Sequence, residues 1–206
     1  MTHDEELIEL VVCGSLNVDF TSYILNSRLP KLGETITGSL FERNYGGKGA
    51  NQCVQASRLG IHTKMLGSIG DDIFGKDYKN HLESEYVETS DLQCVSSCAT
   101  GTVQILAPTK GDNVIVVVPG ANSKSNDLYI DESIAVLEKL HIHTESPLRV
   151  LLCQNEIPIE GSANMMRYCS NVLNMITIFN PAPVPVSLSL LHTEREKERE
   201  RRQKKE

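Results

Sequence analysis

The run LIELVVCGSLNVDF, residues 7–20, concentrates aliphatic side chains and breaks at Gly14. It predicts a buried strand that ends in a polar loop. GETITGSLF, residues 33–41, alternates loosely between glycines and predicts a partly exposed strand. Helical spacing then begins, with Ala50, Val54 and Leu59 on one face and Gly60 as the stop. Residues 62–70, HTKMLGSIG, predict a second strand, and 72–86 a helix with Ile73, Tyr78, Leu82 and Tyr86 turned inward. Two β-rich runs within 100–122 flank PTKGDN, whose Pro, Gly, Asp and Asn predict a hairpin. After them come a helix over 125–141, capped by Ser125 or Asn126, a strand over 148–156, a helix over 161–171 and a strand over 172–183.

Repeated alternation of strand and helix predicts an α/β fold with a mostly parallel sheet, because parallel strands need crossover connections. Segments 33–45 and 101–118 break that alternation and predict a small separate β-sheet. The boundaries are one domain over 1–185 and a charged low-complexity tail over 186–206, expected to be disordered or a fraying helix.

Composition narrows the function. Asp and Glu number 27 against 20 Lys and Arg, and the last thirteen residues hold seven of the basic ones. The body is therefore markedly acidic, which argues against nucleic acid as a partner. RRQKK in the tail leaves a nuclear address open, although acidic residues interleave it. The first residues, MTHDEELIEL, carry acid where a signal peptide carries base, and no apolar run reaches bilayer length. A cytoplasmic protein without membrane contact is expected. Of six cysteines, four lie in apolar or helical contexts and predict buried reduced thiols. Cys94 and Cys98 lack the second pair that a zinc site needs, so no metal is assigned to cysteine.

NYGGKGANQC, residues 44–53, places glycines ahead of a helix start, where free N–H groups and the dipole suit an anion or polar ligand. It is neither a Walker loop, since Gly49 and Ala50 follow Lys48, nor a dinucleotide fingerprint, since Gln52 stands where the third glycine belongs. A tight turn with a chance lysine is the plain alternative. GSLNVD sets Asn17 and Asp19 on one side of an extended segment, at the carboxyl end of a strand where α/β sheets place ligands. An amide beside a carboxylate suits vicinal hydroxyls, so a polyol is the expected ligand.

GSLNVD, LPKLGETITG, NYGGKGANQ, LGSIGDDIFG, VVVPGAN, QNEIP and NPAP stand in an order and spacing that resembles the ribokinase branch of the PfkB carbohydrate kinases. The resemblance spans about residues 8–185. It implies a three-layer α/β/α fold with a small β-sheet lid and transfer of phosphate from ATP to D-ribose, giving D-ribose 5-phosphate. Magnesium on the phosphates and a monovalent cation, potassium, are implied as cofactors, and a homodimer through the lid as the assembly. Asn17 and Asp19 are implied to hold sugar hydroxyls, with Gly47, Lys48, Gly49, Ala50 and Asn51 closing over the same sugar and Glu156 reaching the substrate region. Lys48 alternatively orients the loop, and Glu156 alternatively is a solvated carboxylate. Asp71 and Asp72 match the family and equally suit a helix cap.

The family's Asp-Thr-x-Gly-Ala-Gly-Asp segment, which carries the catalytic aspartate, has no counterpart here, nor has its Thr/Ser-x-Asn-x-x-Glu segment. The expectation is a C-terminally truncated copy, inactive alone, with no catalytic residue to assign. The alternatives are a non-catalytic sugar-binding or dimerising fragment and a kinase for fructose, another polyol or a nucleoside.

Overall fold

The computed structural model describes residues 8–25, 28–125, 127–142 and 150–183. In chain order its strands and helices are β1 (Leu10–Cys13), β2 (Asn17–Ile24), β3 (Gly38–Gly46), α1 (Lys48–Arg58), β4 (Thr63–Leu66), β5 (Ser68–Gly70) and α2 (Ile73–Ser84). Then come β6 (Gln93–Val95), β7 (Gly101–Pro108), β8 (Val114–Val118), α3 (Asp127–Ile142), β9 (Val150–Gln154), α4 (Ile159–Asn171) and β10 (Ile176–Asn180).

Four parallel strands in the order β10-β9-β1-β4 form the central sheet. Their side chains alternate between faces. Val11, Cys13, Leu66, Leu151 and Cys153 pack with Leu137 of α3 and with Met165 and Cys169 of α4. Val12 and Met65, on the opposite face, pack with Ala50 and Cys53 of α1 and with Tyr78 and Leu82 of α2. The three-layer α/β/α arrangement follows from both faces being apolar. Cys13, Cys53, Cys153 and Cys169 are buried free thiols, as their contexts predicted.

A second sheet, ordered β3-β2-β7-β8, holds the hairpin of β7 and β8 and the strand that follows Gly33. Its second member, β2, is a strand of its own in this sheet and not the polar end of the first strand. Here the chain leaves the central sheet at Gly14, crosses through Ser15 and Leu16, and enters the second sheet at Asn17, parallel to β7 and antiparallel to β3. Asn122, 1% exposed, fixes this crossing: its Oδ1 accepts from the Leu16 N–H at 2.9 Å, and its Nδ2 donates to the Leu16 carbonyl at 2.9 Å.

Other expectations need correction. Residues 33–37 are not strand, because Glu34 accepts from the Lys31 N–H and the Arg28 guanidinium and so closes a turn before β3. The run 62–70 is two strands in two sheets, separated at Gly67, where a Cβ would stand 2.7 Å from the Gly14 carbonyl. β5 pairs only with β6 in a sheet of two strands. Helix α2 turns Tyr78 and Leu82 inward, but Ile73 is 69% and Tyr86 90% exposed. The helix begins where Asp72 accepts from the Gly75 N–H at 2.8 Å and also grips Thr100. Asp72 is thus a cap, and Asp71 accepts from the Ser97 N–H. Leu59 of the α1 face is exposed, Ser125 bonds to Ser68, and Asn126 and the segment 186–206 lie outside the described residues.

Candidate functional site

The carboxyl ends of β1 and β9 meet the first turn of α1. Their approach is close enough to require glycine: a Cβ on Gly49 would lie 2.7 Å from Gly14 C and Ser15 N. Gly47 has φ of 90°, a conformation side chains rarely adopt, and its Cβ would stand 2.7 Å from the Ser15 carbonyl oxygen. That carbonyl accepts from the Ala50 N–H at 3.1 Å. The space beside these glycines is therefore filled by the protein's own backbone. Such close packing is what lets three segments converge at this turn.

Helix α1 has no side-chain cap of its own at Gly47. Glu156, just beyond β9, supplies one from 108 residues away: its Oε2 accepts from the Lys48 N–H at 2.8 Å. The same oxygen accepts from Ser15 Oγ at 2.6 Å, and Oε1 accepts from Lys48 Nζ at 2.7 Å. A carboxylate at a helix N-terminus also meets the positive end of the dipole. Burial pushes the Glu156 carboxyl up, but the bonds from Lys48 and Ser15 outweigh it and hold it below the ordinary range. Glu156 is thus not a solvated loop carboxylate, and Lys48 orients the turn.

Asp19 is treated in the opposite way. Burial, and then repulsion from Glu156, push its carboxyl up, with Lys48 pulling it down only in part. Its buried Oδ1 has no hydrogen-bond partner among the described residues. Its carboxylate lies against Gly46, where a Cβ would stand 2.2 Å from Oδ2. Asn17, 4% exposed, is on the same side of β2, and its Oδ1 accepts from Asn122 Nδ2 at 2.9 Å. Asp19, Lys48 and Glu156 therefore form one electrostatic cluster, with Asn17, Gly47, Gly49 and the buried Ala50 as its walls. Asn51 is exposed on α1.

Sequence reasoning missed Ser15, Asn122 and Gln154. Gln154 is fully buried at the end of β9; its Nε2 donates to Gln52 Oε1 at 2.7 Å, while its own Oε1 is unpartnered. Asn122 and Gln154 stand inside recognised motifs, PGAN and QNEIP, but their roles depend on contacts more than 100 positions away. Among the described residues, no group of three or more His, Cys, Asp or Glu side chains is placed to hold a metal ion. Among the same residues no helix is long and apolar enough to cross a membrane.

The chain matches the pfkB family of carbohydrate kinases over residues 7–186. It is 38% identical over 180 residues to the ribokinase of Mus musculus, covering 87% of this chain and 52% of that protein. To the ribokinase of Bacillus subtilis it is 36% identical, covering 84% of this chain and 55% of that one. Ribokinase from Arabidopsis thaliana, solved with ribose and ATP, superposes with a TM-score of 0.70 at 28% identity, covering 84% of this chain and 53% of that one. The chain thus spans about half the length of the relatives it matches.

The two carboxylates have opposite consequences for stability. Glu156→Ala leaves the Lys48 N–H, its ammonium and the Ser15 hydroxyl without their acceptor, and should cost about 1–3 kcal/mol. Asp19 has the raised value, so its ionised form at neutral pH opposes folding, and the penalty fades as pH falls toward the ordinary aspartate value of about 3.9. Asp19→Asn should therefore raise the urea midpoint at pH 7, by less as the pH falls. Destabilisation by Asp19→Asn at pH 7 would contradict this assignment.

Proposed function

The chain belongs to the pfkB family of carbohydrate kinases, and from that premise we propose that it is the sugar-binding half of a ribokinase, with D-ribose as its ligand. The observation that carries the reading is the buried Asp19 oxygen without a protein partner, beside a Lys48–Glu156 pair that is fully engaged elsewhere. The carboxylate is half-buried, with one oxygen that makes no hydrogen bond among the described residues, and donors from a ligand that settles against it would satisfy it. Vicinal hydroxyls supply two donors at the right spacing for one carboxylate, and Asn17 stands next to it on the same side of β2.

In the complete reaction, ATP and ribose give ADP and ribose 5-phosphate. Such transfer depends on placing the hydroxyl, stabilising the charge on the phosphoryl group and removing a proton. Asn17 and Asp19 place the sugar. The matched motifs include no base for its hydroxyl, and the described residues include no metal cluster, so we assign ATP, magnesium and potassium to the half of the fold that the relatives have and this match does not cover. The second sheet is the lid over the sugar. Its edge strand β8 exposes all five residues, Val114, Ile115, Val116, Val117 and Val118, by 39–55%, which suits a homodimer through that strand. A second reading, a sugar-binding or dimerising fragment without catalysis, is separated from the first by the turnover assay. A deoxyribokinase from Salmonella typhi, 30% identical, makes 2-deoxyribose the competing sugar to test.

Titration calorimetry of the whole chain with D-ribose and 2-deoxyribose tests the site. Ribose should bind, and Asp19→Ala should weaken it at least about tenfold, the effect of losing a charged acceptor. Equal affinity in wild type and Asp19→Ala would remove Asp19 from the site, and no heat from folded wild type would remove ribose. In a coupled ADP-release assay the chain alone should show no ribose-dependent turnover; a rate within tenfold of an intact ribokinase would overturn that. Sedimentation at tens of micromolar should show a dimer that Val116→Glu disrupts, whereas a wild-type monomer would exclude the β8 contact.

A further inference from the structure

Tyr78 of α2 is 1% exposed, and its hydroxyl donates to the carbonyl of Gly46. Gly46 is the last residue of β3, Gly47 turns the chain through its positive φ, and Lys48 opens α1. The bond therefore falls on the hinge between the second sheet and the helix that carries Lys48. It falls equally close to Asp19, whose carboxylate packs on the Cα of Gly46.

The support behind Tyr78 is rigid. The tyrosine ring meets Tyr45 of β3 edge-on at 5.0 Å between centroids, and Tyr45 stacks on His81 at 4.1 Å. The preceding residue, Asp77, pairs with Arg43 of β3 at 3.1 Å, and one turn earlier Phe74 meets Phe20 of β2. Asp72 fastens the start of α2 to Thr100, next to β7. Two strands of the second sheet and the residue that precedes a third are thus tied to one helix, and the Tyr78 hydroxyl ties that helix to the hinge. Burial, and then the charge of Asp19, push the Tyr78 phenol up, which keeps it a donor.

We propose that Tyr78 is a positioning residue of the sugar site: its hydrogen bond to the Gly46 carbonyl sets the angle of the β3–α1 hinge and so the places of Asp19 and Lys48. The consequence for ribose rests on the reading of the site given above; the consequence for the hinge does not. A tyrosine serving only to fill the core would stabilise both faces of α2 without preference for the turn.

The test uses the whole chain and Tyr78→Phe, which keeps the ring and removes the donor. Hydrogen exchange is followed by mass spectrometry over residues 44–52, with 63–66 and 150–154 of the central sheet as controls. Loss of one buried hydrogen bond should speed exchange over 44–52 about tenfold, leave both controls unchanged and weaken ribose about tenfold. Unchanged exchange over 44–52, or an equal rise in all three segments, overturns the assignment. If wild type binds no ribose but 44–52 alone loosens in Tyr78→Phe, the ribose reading falls and the hinge assignment stands. Should Tyr78→Phe not fold, 3-fluorotyrosine in place of Tyr78 keeps the ring and strengthens donation, and exchange over 44–52 should slow; no change there would count against the proposal.

Discussion

The carboxylate of Glu156 is the contact on which the site depends. It receives a backbone N–H, an ammonium and a hydroxyl from two other segments, and so joins β9, β1 and α1 at one point. Removing such a group from water is costly unless every acceptor position is used. Here three donors engage it, and they hold its carboxyl below the ordinary range. The same arrangement engages the Lys48 ammonium with Glu156, and its charge offsets only part of what raises the Asp19 carboxyl. Asp19 is left with burial, a negative neighbour and an unmade hydrogen bond, a combination that disfavours the empty fold and favours a donor from outside.

Much of the central sheet was legible in the sequence, because β1, β4 and β9 are mostly buried and all four strands read as short aliphatic runs. The β7–β8 hairpin was legible for a different reason, the turn-forming residues between Pro108 and Asn113. The change of sheet at Gly14 was not. Ser15 and Leu16 carry no turn signal, and the crossing is held by Asn122, 106 residues later. Helix α2 misled in phase, since Ile73 and Tyr86 are apolar but lie at its ends, where the chain turns outward.

The site residues Asn17, Asp19, Lys48 and Glu156 were all named from motifs, but their division of labour was not. A glycine in sequence shows an open side without showing what faces it. Gly47 and Gly49 face Ser15 and Gly14, and their lack of a side chain is what lets these backbone segments converge. Glu156 likewise became a helix cap only when its partner, 108 positions earlier, was seen. Functional geometry in this half-fold is built from long-range polar contacts, which local patterns do not encode.

The central claim is that Asp19 is an unsatisfied carboxylate awaiting sugar hydroxyls. Its titration, followed by NMR on carboxyl-labelled protein, tests this most directly. Without sugar, the Asp19 pKa should lie above the ordinary aspartate value, as burial and Glu156 dictate. With saturating D-ribose it should fall, because hydroxyl donors stabilise the ionised form. A value that stays the same while ribose is bound would place the sugar elsewhere and contradict this account.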